Sequence, residues 1–339
     1  MGLLSQLTRQ VSPQPIAIHC GDEVIRLMQL DGSPKHSLRN AFEVGADDCG
    51  GLKEAIASFR GKRCVVCIDP SEVFVQHIRV EMDAEQQQVI SCLQKHDAEW
   101  ENAEIRSVCV KTTGSGGNMK QELLCVGIER TKLQQIVEKV ETSGGRVIAV
   151  TVPLYASVRA FDKLYRRDGD EKITSMLIDM SKNSSMVMIS HGANCVFAHR
   201  IGLRSVHNKD LKEATIESTL LQLAAVPKDE FERRNENTPR GLQETQDSNE
   251  DLETEYADEL ERCLRHHDSL FPDRSVDRII FTGCGANDTE LCAAIASELN
   301  LLGYISDPSA WITGAPEYTS GPSWTTVSGL CLHYLEGAA

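Results

Sequence analysis

Three short stretches, each following a run of apolar residues, carry residue types that suit a phosphate. They are His19-Cys20-Gly21-Asp22-Glu23 with Arg26 beyond, Asp179-Met180-Ser181-Lys182-Asn183-Ser184, and Gly283-Cys284-Gly285-Ala286. Turns of this kind at strand ends aim backbone N–H groups at an anion, and glycine permits the close approach. A fourth stretch, Cys67-Ile68-Asp69-Pro70-Ser71-Glu72, puts a carboxylate at a strand end, where it has the reach of a general base. Two other groupings point to simpler roles. Cys64-Val-Val-Cys67 has no second cysteine pair, and strand geometry sends its two side chains to opposite faces, so it reads as a buried strand rather than a zinc or redox site. His266-His267 lacks further ligands at metal spacing and reads as a solvated helix end.

The elements that must position these residues repeat. Pro15–Gly32 (PIAIHCGDEVIRLMQLDG) and Ser175–Gly192 (SMLIDMSKNSSMVMISHG) are each strand, polar turn, strand and glycine turn. Alternation and turn positions coincide, although only Ile18/Ile178, Met28/Met188 and Gly32/Gly192 are identical. Further strands are expected over 36–44, 63–69, 73–80, 105–112, 122–128, 146–152, 195–201 and 276–282. Helices are expected over 50–60, 83–98, 130–143, 153–164, 210–223, 255–268 and 288–299, the one over 130–143 ended by Gly144-Gly145. The stretch 227–256 is so charged and so poor in aliphatics that it reads as an excursion from the core.

At 339 residues the chain is long enough for two cores. The organisation expected is an α/β fold of two duplicated β-β-β-α-β lobes facing one cleft, 12–165 and 174–335, with a small α/β subdomain inserted in the first at about 83–150. A formal charge of −15 argues against nucleic acid and against attraction to anionic lipid. Twelve cysteines without a secretory leader, and no apolar run long enough to span a bilayer, point to a reducing, cytoplasmic setting. Leu3, Leu4 and Leu7 make barely two turns of an amphipathic face, too little to anchor the chain, so recruitment to a membrane would go through a protein partner.

In order and spacing these motifs resemble the actin-like ATPase superfamily, and most closely the PilM proteins of type IV pilus and type II secretion assembly, relatives of FtsA. The resemblance runs over about residues 12–335 and rests on Ile16–Leu30, Leu177–Ile201, Arg278–Ala286 and Ser328–Leu332, with Leu123–Phe161 in support. It implies a four-subdomain actin-type fold. It also implies ATP with Mg at Gly21, Asp22, Arg26, Asp179, Ser181, Asn183, Ser184, Gly283, Cys284, Gly285 and Ala286, Asp179 handling the metal-bound water. The implied partner is the cytosolic tail of a PilN-like inner-membrane protein, held between the first lobe and its insert by Val108, Val110, Leu124 and Val126; self-association stays open.

The departures from the family pattern are chemical. Asp22 and Glu23 stand where hydroxyls and a lysine belong, and like charges 4 Å apart repel by about 1 kcal/mol in water and roughly four times that at a surface dielectric near 20. Met180 replaces a glycine, and Gly202-Leu203-Arg204-Ser205 replaces a double glycine. The expected function is therefore a non-catalytic or weakly nucleotide-binding scaffold. The alternative is a small sugar or acid kinase using ATP, with Asp69 as base.

Overall fold

A computed structural model describes residues 13–31, 36–96, 98–114, 119–165, 172–182, 184–202 and 247–336. The expected helix over 210–223, Leu203–Ser205, Asn183 and the leucines of the first ten residues lie outside them.

Two five-stranded sheets share one topology. In the first, β1 (Ile16–Cys20), β2 (Val24–Asp31) and β3 (Ser37–Gly45) form an antiparallel meander, and β4 (Arg63–Cys67) then runs parallel to β1. An insert follows: β5 (Phe74–Glu81), β6 (Ala103–Thr113) and β7 (Lys120–Glu129) make a separate antiparallel sheet in the order β5-β7-β6. The chain returns to the first sheet as β8 (Arg146–Thr151), parallel to β4, giving the order β3-β2-β1-β4-β8. The second lobe repeats it. Strands β9 (Thr174–Met180), β10 (Ser184–His191) and β11 (Asn194–Gly202) form the meander; β12 (Arg278–Thr282) and β13 (Leu302–Ile305) add in parallel, in the order β11-β10-β9-β12-β13. The insert therefore starts earlier and ends sooner than the expected 83–150: β5 belongs to it and β8 does not.

The side chains explain this layering. Ile16 and Ile18 of β1 pack on α1 (Cys49–Ser58) through Leu52, Ala55 and Ile56, while Ala17 faces the other way. Asp48 starts that helix, its carboxylate accepting from the Gly51 amide at 2.8 Å. Strand β9 is buried along its whole length because both faces are covered, so its apolar residues Met176, Leu177 and Ile178 run consecutively and do not alternate with polar ones. In the insert, α2 (Gln86–His96) covers one face of the sheet through Val89 and Leu93 against Ile78, Leu123 and Cys125. The opposite face, with Leu124, Val126 and Ile128, lies in a core shared with the second lobe. Helix α3 (Arg130–Thr142) leads back, closed by Gly144 at φ +92°.

Two helices join the lobes. Helix α4 (Pro153–Tyr165) crosses α7 (Thr325–Glu336) so closely that a Cβ on Gly329 would lie 1.9 Å from the Ala156 carbonyl oxygen. Helix α5 (Asp247–Leu270) begins inside the stretch expected as a charged excursion, and Tyr256 is core, its hydroxyl 2.7 Å from that of Ser185. The inward stripe Tyr256, Leu260, Cys263, His267 and Leu270 has helical spacing, and this apolar face overrides the charged composition around it. His267 is thus buried, 3.0 Å from His191 between ring nitrogens, and is not part of a solvated helix end; His266 remains exposed at the surface, its ring against His77 and Phe197. Helix α6 (Thr289–Glu298) completes the second lobe.

Candidate functional site: the cleft between the lobes

The β1–β2 and β9–β10 turns face each other across the cleft. Lys182 Nζ meets Glu23 Oε1 at 2.5 Å, so an ion pair joins the positions that phosphate would bridge. The third turn leans on the second: a Cβ on Gly283, at φ +83°, would fall 2.4 Å from the Met180 oxygen and 2.5 Å from Asp179 Oδ1. The segment Pro322–Trp324 links β2 to the third turn: the Trp324 ring lies 5.9 Å from the Arg26 guanidinium, and the Gly283 amide donates to the Pro322 carbonyl at 3.0 Å. The sequence-expected residues are therefore gathered in one place, Asn183 lying outside the described residues.

What each of them does is less suited to nucleotide. The Gly21 amide donates to Val24 O at 3.0 Å, closing its own turn. Asp22 accepts from the Ser71 hydroxyl at 3.2 Å. Ser181 donates to Ser184 O at 2.6 Å, with the two hydroxyls 3.2 Å apart, so these donors serve their own turn. Arg26 pairs with Glu43 at 2.7 Å. Cys284 lies 3.7 Å from Met180 O, and Ala286 is buried. Met180 itself is 1% exposed and packs in the core of the second lobe, its Cβ 2.9 Å from where one on Gly285 would stand.

Asp179 is 2% exposed, and its Oδ2 accepts from the Thr326 hydroxyl at 2.9 Å, which lies 3.1 Å from the Ser157 hydroxyl. That chain ties β9 to α7 and α4. Burial pushes the Asp179 carboxyl above its usual range, against the Thr326 hydrogen bond and the Arg26 charge. Asp69 caps the turn after β4, Oδ1 accepting from the Ser71 amide at 2.7 Å; its Oδ2 is buried with no hydrogen-bond partner among the described residues. Burial, opposed by Ser71 and reinforced by Asp22, pushes Asp69 up to about 7. Arg200 Nη1 donates to Ser71 O at 2.6 Å, tying β11 of the second lobe to this turn. Beside Arg26 on the neighbouring strand, His19 has both ring nitrogens buried and unpartnered; burial, then Arg26, holds its pKa down to about 3, so it is neutral.

Mg-ATP, which the sequence resemblance implies, is a poor match to this donor set. Asp179 is buried and already accepts from Thr326, Met180 fills the place of a glycine, and Asp22 and Glu23 add negative charge where the phosphates would lie. No three His, Cys, Asp or Glu side chains among the described residues are arranged to hold a metal ion.

The expected partner groove is not formed by the four residues named for it. Leu124 is 1% exposed and Val126 6%, both in the shared core, while Val110 is half-buried and Val108 exposed. Strand β7 is the central strand of its sheet, covered on both faces. Sequence reasoning missed Lys182, Glu43, Ser157, Trp324 and Thr326. Glu43 stands opposite Arg26 across the β2–β3 hairpin, whereas Lys182, Ser157, Trp324 and Thr326 act on residues far away in the chain and no local signal marks them.

Comparison of folds gives a strong likeness. The structure of the PilM–PilN type IV pilus biogenesis complex matches with a TM-score of 0.69 at 12% identity, over 96% of this chain and 99% of that one. The fold is that of PilM. It is the actin-like ATPase fold, with the insert in the first lobe. Two weaker likenesses are the cytoplasmic domain of EpsL, an inner-membrane component of the type II secretion system of Vibrio cholerae (TM-score 0.40, 14% identity, 56% of this chain and 71% of that one), and a Bacteroides thetaiotaomicron protein of actin-like ATPase fold and unknown function (0.46, 10%, 86% and 91%). No protein-family model and no curated protein matches the sequence.

Proposed function

We propose that the chain is a scaffold of a type IV pilus or type II secretion assembly, cytoplasmic and recruited to the inner membrane by docking the cytosolic tail of a PilN-like protein. The PilM-type fold over nearly the whole of both chains supports this reading. It works without nucleotide turnover, because the side chains that would serve a triphosphate serve the protein itself: Glu23 pairs with Lys182, and Asp179 holds Thr326. Among the described residues no helix is long and apolar enough to cross a membrane, which is consistent with recruitment through a partner. The test is calorimetric. A synthetic peptide copying the cytosolic segment of the inner-membrane protein encoded beside this chain should bind and raise the melting temperature, and Mg-ATP should do neither. Tight Mg-ATP binding, or no binding of the peptide, would defeat the reading.

One observation favours a second reading. Asp69, with a buried free oxygen and a pKa near neutrality, has the properties of a general base in phosphoryl transfer to a small sugar or acid. ATP-dependent phosphorylation of such a substrate, abolished by Asp69→Asn, would establish it.

A further inference from the structure

Five of the chain's ten histidines, His77, His191, His199, His266 and His267, gather where the insert lies against the second lobe. His77 of β5 stacks on Phe197 of β11, with ring centres 5.0 Å apart and 18° between planes. His266 of α5 stands edge-on to both rings, 5.6 Å from His77 and 5.3 Å from Phe197. The Ala198 amide of β11 donates to His77 Nε2 at 3.4 Å, so the neutral ring carries its hydrogen on Nδ1, which is buried with no hydrogen-bond partner among the described residues. Further along, His191 of β10 and His267 of α5 meet nitrogen to nitrogen, and both rings pack on Phe271. Lys111 of β6 reaches the same place from the insert: it donates to Leu270 O, and its ammonium lies 5.3 Å from the centre of the Phe271 ring.

Added protons spoil these contacts. A proton on His77 Nε2 would set an N–H against the Ala198 N–H. Between His191 Nε2 and His267 Nε2 the 3.0 Å gap, with ring centres 5.3 Å apart, is that of one hydrogen shared head-on, not of two nitrogens converging on a metal ion. With His267 Nδ1 3.3 Å from Asp268 Oδ1 the pair accommodates one more proton, and a second would set two N–H groups head-on. The neighbouring charges help little. His77 faces His266 and His199; His199 faces Glu259, His266 and Arg200, and Glu259 is already paired with Arg262 at 2.5 Å; His191 faces His267 and Arg274, and His267 faces Asp268. Burial first, and then these neighbours, holds His77 and His191 down to about 4.

We propose that this seam makes the insert's hold on the second lobe proton-sensitive: protonation of His77, and then of the His191–His267 pair, loosens that hold while both lobes stay folded. The apolar core beneath, with Leu124 and Val126 of the insert beside Met186 and Met188 of the second lobe, takes no proton, so acid weakens the grip without abolishing it. A histidine whose pKa is lower in the closed seam than in the open one supports closure fully above about pH 6.5 and loses that support as pH falls towards about 4. For His77 alone, opening should be roughly thirtyfold more frequent at pH 5 than at pH 7.5.

Hydrogen exchange of the full chain, resolved to single amides and corrected for the intrinsic pH dependence of exchange, is the test. The Ala198 amide, which faces the seam, should show that roughly thirtyfold rise, while amides of β9 and β12, inner strands of the second sheet, keep their protection. His77→Gln, whose side-chain oxygen can still accept from Ala198 and takes no proton, should remove most of the response. Ala198 opening that does not change with pH, equal acceleration in β9 and β12, or an undiminished response in the variant would each overturn the proposal. Should His77→Gln not fold, the contrast between Ala198 and the two inner strands of the parent still decides.

Discussion

Gly329→Ala sets two effects of opposite sign against each other. In a helix interior alanine is favoured over glycine by about 1 kcal/mol, so propensity alone predicts a more stable protein. The new Cβ, however, would lie 1.9 Å from Ala156 O, 2.8 Å from Ala156 C and 3.0 Å from Ala160 Cβ. A relaxed contact needs about 3.5 Å, so α4 and α7 must move apart by roughly 1.5 Å, and a gap of that order forfeits more than half of the dispersion attraction along the seam. The obstacle is helix backbone and cannot swing aside. An overpacking cost at the upper end of the usual range, about 3 kcal/mol, therefore outweighs propensity and leaves a net loss of about 2 kcal/mol. Separation would also stretch the Ser157–Thr326–Asp179 chain, whose members sit within one turn of the contact. Urea unfolding followed by far-ultraviolet circular dichroism measures it, with a lower midpoint at unchanged slope expected. A variant as stable as the parent, or more stable, would refute this account of the crossing.

Three further outcomes follow from the same structure. Because burial raises the Asp179 pKa, the folded state pays a penalty for its charge that grows as pH rises through the folded value; Asp179→Asn should thus leave stability at pH 7 unchanged or higher in thermal melts, whereas Thr326→Val, which strands the carboxylate, should cost about 1–3 kcal/mol. His77, stacked on Phe197 and held down to about 4 by burial and then by His266 and His199, is neutral when folded, so its contribution is complete above about pH 6.5 and is lost as pH falls to about 4; His77→Phe should shrink that acid-induced loss by up to about 3 kcal/mol in urea titrations at pH 7 and pH 4. Lys182→Glu should set like charges across the cleft and enlarge the radius of gyration in small-angle scattering at low salt, and the swap Glu23→Lys/Lys182→Glu should restore it.

Much of the fold was legible because it is written in local patterns. The paired hairpins of β1–β2 and β9–β10 follow from period-two apolar residues and their turns, and the cleft-facing glycines follow from the strand ends. The limits of the insert were not legible, since Arg146–Thr151 is an apolar strand that fits either sheet, and only tertiary pairing with β4 decides. Leu124 and Val126 are expected to line a groove, yet the run Leu123–Ile128 does not alternate, which already indicates a strand covered on both faces. The roles of Asp179 and Glu23 were out of reach: their partners Thr326 and Lys182 lie 147 and 159 positions away.

The two lobes are held together by groups of the chain itself. Asp179, Thr326 and Ser157 knot the two joining helices to the second sheet at the base of the cleft, Arg200 fastens the second lobe to the Ser71 turn, and Glu23 with Lys182 clasps the rim. The base is buried and insensitive to salt, whereas the clasp is exposed and weak, so closure is set by packing and only trimmed by charge. On the reading proposed above, a frame held in this way needs no triphosphate to keep its lobes together, so loss of the Ser157–Thr326–Asp179 chain, and not removal of nucleotide, is what should loosen the cleft.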